Sequence, residues 1–308
     1  MTEVATEERA EALARRAIVD RMRGASIELT PRDRAAIPIC REALPAGSAV
    51  FITHLPGGTP REMIATAIEL RRAGLVPVPH VAARHLTSFS ELDGYLAGAA
   101  GEAGVDRALA IAGDTDRPAG PYTDSLQMLA SGLFEKHGFR TIGLAAYPEP
   151  HPRIPAPVLS SMLRGKIALV RQCGMTAEVV TQFTFEAEPI LAWLSRAPEQ
   201  GADAPVRIGL AGPASIATLA KFAVRCGVGR SMQALLGGQT SIARLVLEAG
   251  PERIVRALAE APLSAAVLGL HFFSFGGAAK TATWMRGVID GTFTLDLVGG
   301  GFRVSRRG

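Results

Sequence analysis

The chain has 308 residues, 48% hydrophobic and 20% charged, which excludes a disordered chain and leaves ample apolar mass for a large core. The net charge of +4 is spread along the sequence without the basic and aromatic interleaving of a nucleic-acid surface, so no nucleic-acid partner is expected. Cys40, Cys173 and Cys226 form no CxxC pair, no signal-peptide core is visible, and no apolar run reaches the roughly 20 residues that span a bilayer, so the expectations are no metal, no membrane and a cytoplasmic location.

In chain order, residues 4–23 place apolar side chains at helical spacing, giving an N-terminal helical extension over 1–24 ahead of one domain over 25–308. Eight short apolar runs follow: 26–29, 48–53, 75–80, 107–113, 140–147, 178–183, 206–212 and 266–275. Helical patterns lie between and after them, at 31–44, 61–74, 90–104, 125–138, 157–174, 187–197, 215–227, 230–261 and 278–290, several ending on glycine. The runs are continuously apolar rather than alternating, as in parallel strands buried on both faces. Eight βα units predict a closed (β/α)8 barrel of the TIM type. An open doubly wound sheet is the alternative, but the first run, "SIELTPRD", lacks a glycine-rich phosphate turn.

Barrel sites lie where strands end and βα loops begin. The polar residues at those ends are Glu28, Thr53, His54, His80, Asp114, Tyr147, Gln182 and Ser274. Gln182 sits in an otherwise apolar run, where an amide without a partner costs roughly 1–3 kcal/mol. Facing a shared mouth would give it partners.

Several stretches occur in a telling order: "SIELTP" (26–31), "ITH" (52–54), "PH" (79–80), "AIAGD" (110–114), "PAGPY" (118–122), "AAYPEPHP" (145–152), "VVTQFTF" (179–185), "KFAVRCGV" (221–228) and "LHFFSF" (270–275). Together the sequence resembles the 5,10-methylenetetrahydrofolate reductase family over about residues 25–290. The resemblance implies a flavoprotein barrel of one-carbon metabolism. It would hold FAD and use NADH or NADPH to reduce 5,10-methylenetetrahydrofolate to 5-methyltetrahydrofolate for methionine biosynthesis, or run the reverse in one-carbon catabolism.

The resemblance also implies roles. Glu28 is the acid that protonates folate N10, its pKa raised in a poorly solvated mouth. Asp114 lies by flavin and folate and favours the cationic iminium. Gln182 binds the pterin and the nicotinamide in turn, Phe222 packs on the bound rings, and Lys280 is the cation nearest the place of a folate-holding arginine. Thr53, His54, His80, Ala112, Gly113, Asp114, Tyr122, Tyr147, His151 and Lys166 fall on cofactor-binding positions. Three positions depart from the pattern. Ala112 stands where the family has arginine, with Arg84 nearby, Gly277 replaces another arginine, and Thr218 replaces glutamine. Two other readings stay open: a folate-binding barrel without flavin, by direct hydride transfer from NADH or in a methyltransferase-type role, and a non-catalytic partner barrel. A homo-oligomer is compatible with the N-terminal helix packing on a neighbour.

Overall fold

The computed structural model describes residues 2–199, 201–228, 247–264, 266–296 and 298–305. Eight parallel strands close into one barrel: β1 (Ser26–Leu29), β2 (Ala49–Ile52), β3 (Val76–Ala82), β4 (Arg107–Ile111), β5 (Thr141–Ala146), β6 (Thr176–Thr181), β7 (Val206–Ala211) and β8 (Val267–Phe273). β1 closes the ring by pairing β2 on one side and β8 on the other, with Ser26 beside His271. This is the predicted (β/α)8 fold.

The helices begin and end for local reasons. Helix Pro60–Arg72 starts on a capping box: Thr59 Oγ1 accepts from Glu62 N, and the Glu62 carboxylate accepts from Thr59 N at 2.8 Å. Helix Phe89–Ala103 starts on Ser88 and stops at left-handed Gly104. Ser215 caps helix Ile216–Cys226, which Gly227 ends.

Successive strand residues point to opposite faces. The outward set, such as Ile27, Val50, Ile52, Ala108, Ala110, Val179 and Ile208, packs under the helices in the main core. The inward set includes Phe51, Val78, Leu109 and Val180, which fill the middle of the barrel. Below them, Arg207 bonds Glu178 at 3.2 Å. Above them, the inward positions become polar, and that layer is the mouth.

Several elements differ from expectation. The predicted helix over 125–138 is two, Ser125–Leu129 and Leu133–Lys136, because Gly132 takes φ +74° between them. The stretch 31–44 is a 3-10 turn, Pro31–Ala36, then helix Ile37–Ala43. Residues 230–246 of the predicted helical region 230–261 lie outside the described residues; the described part holds a two-residue strand, Glu248–Ala249, and helix Glu252–Glu260. After the barrel an antiparallel hairpin forms, Phe293–Asp296 with Gly301–Val304. The N-terminal helix, Thr2–Arg21, packs against helix Glu252–Glu260, and its Arg15 lies 4.8 Å over the Phe293 ring.

Candidate active site

Glu28 is buried on β1, on the inner face. Its Oε2 accepts the Thr53 hydroxyl at 2.9 Å. Its Oε1 lies 3.2 Å from His271 Nε2 and 3.3 Å from His80 Nε2. His271 is fully buried on β8, and burial lowers its pKa, so the ring is neutral. The network assigns its tautomer: Nε2–H donates to Glu28, while Nδ1 faces Ser26 Oγ at 2.9 Å and accepts. His80 Nε2 is close enough for ion pairing, yet out of line for a hydrogen bond, and is left without a partner. The expectation of a raised Glu28 pKa is overturned. Burial pushes it up, but the charge of His80 and the hydrogen bond from His271 outweigh burial and hold Glu28 well below the usual carboxylate range.

Asp114 stands half-exposed after β4. Oδ1 lies 3.2 Å from His85 Nε2, and Oδ2 accepts from Arg225 on helix Ile216–Cys226. Partial burial raises its pKa, but Arg225 and then His85 hold it below the usual value. His85 in turn meets His54 edge-on at 4.8 Å. Gly113 has φ +94°, and a Cβ there would come 3.0 Å from the His85 ring. Gly113→Ala should therefore cost about 1–3 kcal/mol in chemical denaturation through backbone strain and displaced His85.

His54 is driven down to about 4, first by burial and then by the His85 and His80 charges. The unfolded chain takes up that proton near the ordinary 6.5, so stability should fall as pH drops from 6.5 towards 4. Melting temperatures across that range check this, and His54→Asn should flatten the slope.

Gln182 follows directly on β6. Its backbone N–H donates to Ala146 O at 2.7 Å, and its side-chain oxygen accepts from Phe183 N at 3.1 Å. Among the described residues its amide nitrogen has no hydrogen-bond partner. Gln182 lines a small hollow with Tyr147, His151, Phe183 and Cys226. Cys226 ties the parts together. Its thiol is pushed up to about 11, first by burial, with Arg225 opposing and both Glu28 and Asp114 adding to the rise. One side chain thus feels both carboxylates and borders the hollow of Gln182. Phe222 stacks on Phe275 at 4.2 Å within a cluster that includes Phe183 and Phe273. Lys280 pairs with Glu248 at the rim. Tyr147 and His151 meet edge-on at 5.1 Å.

A cavity of about 950 Å³ opens beside the mouth, between the ends of β4 and β5 and helices Ala156–Gln172 and Ala187–Arg196. Ala112, Tyr147 and Lys166 line it, and burial lowers the Lys166 pKa. Tyr122 is buried nearby in the loop after β4. Among the described residues, six polar atoms around the ends of β2, β3 and β4 are buried without a hydrogen-bond partner: His54 Nδ1, His80 Nε2, Arg84 Nε, Thr115 Oγ1, Tyr122 Oη and Ser125 Oγ. Buried polar atoms are normally satisfied. Their concentration on one side of the mouth, next to a cavity of ligand size, fits a polar ligand.

The pattern that defines the family described as "Methylenetetrahydrofolate reductase" matches residues 41–283. The chain belongs to the methylenetetrahydrofolate reductase family. Membership supports a folate-related reductase activity in a family that is generally flavin-linked. The match spans β2 to β8 of this reductase-family barrel and leaves β1, with Glu28, outside it. Among solved structures, dihydropteroate synthase from Thermus thermophilus is 15% identical, with 86% of this chain and 91% of that chain covered and a TM-score of 0.44. The 3-dehydroquinate dehydratase from Aquifex aeolicus is 11% identical over 66% of this chain and 85% of that one, with a TM-score of 0.38. Among the described residues no helix is long and apolar enough to cross a membrane, and no cluster of ligating side chains could hold a metal.

The structure brings Glu28, Thr53 and His80 into one network, Asp114 into a second with His85 and Arg225, and Gln182 and Tyr147 into a hollow with Cys226. Lys280 sits apart, in its own ion pair. Sequence reasoning missed His271, His85 and Arg225. The one signal for His271 was a lone imidazole between Leu270 and Phe272 on a strand whose alternate residues face inward.

Proposed function

We propose that this chain reduces 5,10-methylenetetrahydrofolate to 5-methyltetrahydrofolate with hydride originating from NADH or NADPH. The observation that carries the reading is the Glu28 cage. A buried carboxylate on the inner face of β1 is touched by two imidazoles and a hydroxyl, and Asp114 and Gln182 follow β4 and β6 at the same, C-terminal end of the barrel strands.

The folate's five-membered ring must open before its bridging carbon can accept hydride. Protonation of N10 makes it a leaving group: the C–N10 bond breaks and an iminium forms at N5. Hydride addition to that carbon then yields the N5-methyl group. Resting Glu28 is anionic, so the proton belongs to Glu28, His80 and His271 as a coupled unit. Turning the His80 ring would bring Nε2 into line with Glu28 Oε1, 3.3 Å away, so that a proton passes to Glu28 and from Glu28 to N10. A pterin covering the mouth would exclude water and raise the proton affinity of the carboxylate, favouring transfer. Asp114, kept ionised by Arg225, stabilises the cationic iminium. The amide nitrogen of Gln182 donates to the pterin edge, as a primary amide can. Gln182→Ala should therefore raise KM for the folate about tenfold in steady-state kinetics, the loss of roughly one hydrogen bond to a polar ligand.

FAD, when bound, would supply a ring that accepts and donates hydride. The partnerless polar atoms suit its polar edges, and the neighbouring cavity has the volume for its uncharged parts. Thr53, His54, His80, Gly113, Tyr122, Tyr147, His151 and Lys166 would surround it, with Ala112 adding no charge. Ala112 favours a second reading, direct transfer from the nicotinamide. Yellow purified protein selects the flavin route. Colourless protein that oxidises NADH only with the folate present selects the direct one. Protein that binds the folate and oxidises nothing is a methyltransferase-type barrel, and the reductase reading then falls.

A further inference from the structure

The cavity beside the mouth is poor in positive charge. Asp124, Glu149, Glu186 and Glu188 line it against only Lys166 and Arg196. A dinucleotide of either kind, flavin or nicotinamide, carries a diphosphate with two negative charges, and such a group is unfavourable among four carboxylates. The cations lie instead at the rim. Arg84 follows β3 and is fixed by its backbone: its N–H donates to Ala112 O at 2.8 Å, and its carbonyl accepts from Ala119 N at 2.9 Å. Its Nη2 donates to the Asp116 backbone oxygen at 2.6 Å, while its Nε is buried without a partner. Arg153 reaches the same residue from the loop after β5, its Nη1 3.0 Å from Asp116 Oδ1. Arg153 N also donates to His151 Nδ1 at 3.1 Å, which seats it between the cavity-lining residues Pro150 and Ile154. The next helix, Ala156–Gln172, begins with no side chain capping its N–H groups, which adds positive potential.

We infer that Arg84 and Arg153, which both reach Asp116 beside the cavity, form a diphosphate clamp, and that the Asp116 carboxylate occupies Arg153 while the Asp116 backbone oxygen occupies Arg84 when the clamp is empty. The inference rests on the reductase reading for the identity of the dinucleotide, but not for the clamp itself. Two guanidinium forks from different loops suit two phosphates, since each can present paired N–H donors to phosphate oxygens. The Arg153–Asp116 pair is exposed on both sides, and exposed pairs contribute about 0–1 kcal/mol, so a diphosphate displaces Asp116 at little cost. Arg84 thereby supplies, from β3, the cation that Ala112 does not supply from β4.

The test uses ADP, the half shared by FAD and NADH, titrated calorimetrically into the purified protein, with adenosine as the uncharged control. Arg84→Ala and Arg153→Ala should each weaken ADP at least tenfold. Asp116→Asn should tighten it two- to fivefold. Adenosine binding should move less than twofold in all three. Arg84→Lys, which keeps the charge and protects the fold, should retain part of the affinity. Flavin content after purification and NADH affinity, measured on the same variants, tell which dinucleotide uses the clamp. Wild-type protein that does not bind ADP, or arginine variants within twofold of wild type, overturns the clamp. If wild type then still shows folate-dependent NADH oxidation, the reductase reading survives that failure. If the variants behave as expected and no such oxidation is found, the clamp stands and the reductase reading falls.

Discussion

Glu28→Gln should reduce folate-dependent dinucleotide oxidation by about 10²–10⁴-fold, the usual range for removing a positioned acid. The amide keeps the shape of the carboxyl and still accepts from Thr53, so the fold should tolerate it. It cannot carry the proton between His80 and N10, because a neutral amide has no site that gains and loses a proton in this range. Glu28 touches Thr53, His80 and His271 and lies apart from the residues lining the large cavity. Dinucleotide binding, and reduction of any bound flavin by NADH, should therefore change far less than folate reduction, since neither step needs a proton delivered to N10. Rapid-mixing kinetics with and without the folate separates these steps. Equal losses in both would remove Glu28 from the acid role.

His271→Phe should cost about 3–5 kcal/mol in chemical denaturation, the range for removing one partner from a buried charge. The phenyl ring fills the space between Phe51 and Phe273, whose rings lie 4.4 and 5.0 Å from His271, so lost volume is not the cause. The cause is a buried carboxylate without its neutral N–H donor. The same change has a titration signature. Glu28 is held low in the folded chain, so its contribution to stability is present above its ordinary 4.5 and lost as pH falls below it. Without His271 its folded pKa rises towards the unfolded value, and this acid-induced loss shrinks. The pH above which folate reduction declines should also move upward, because the cluster holds its proton more tightly. A variant that is less stable at every pH, with both profiles unmoved, would make His271 a packing residue only.

The barrel was legible because parallel strands buried on both faces leave unbroken apolar runs, and seven helices sit close to their predicted ranges. The helix expected over 125–138 is split because Gly132 takes a positive φ, which the apolar spacing of the segment does not reveal. The hairpin Phe293–Asp296 with Gly301–Val304 was missed although its glycine run between two apolar stretches carried a turn signal. At the mouth, Glu28, Thr53, His80 and Gln182 could be picked out as polar residues at strand ends. Their electrostatics could not. Of the two imidazoles that keep Glu28 anionic, His80 and His271, the second lies 243 positions away and is embedded in an apolar strand. Arg225 read as an ordinary solvated charge on an amphipathic helix, yet it reaches Asp114 from the opposite side of the mouth.

The most direct measurement supplies NADH deuterated at the transferring position, together with 5,10-methylenetetrahydrofolate, and identifies the folate product by mass. The account expects NADH oxidation that requires the folate and matches 5-methyltetrahydrofolate formation one for one. Deuterium should appear in the methyl group if transfer is direct and be diluted by solvent if it passes through flavin. Folate that binds yet returns unreduced, or NADH consumed at the same rate without folate, would contradict it.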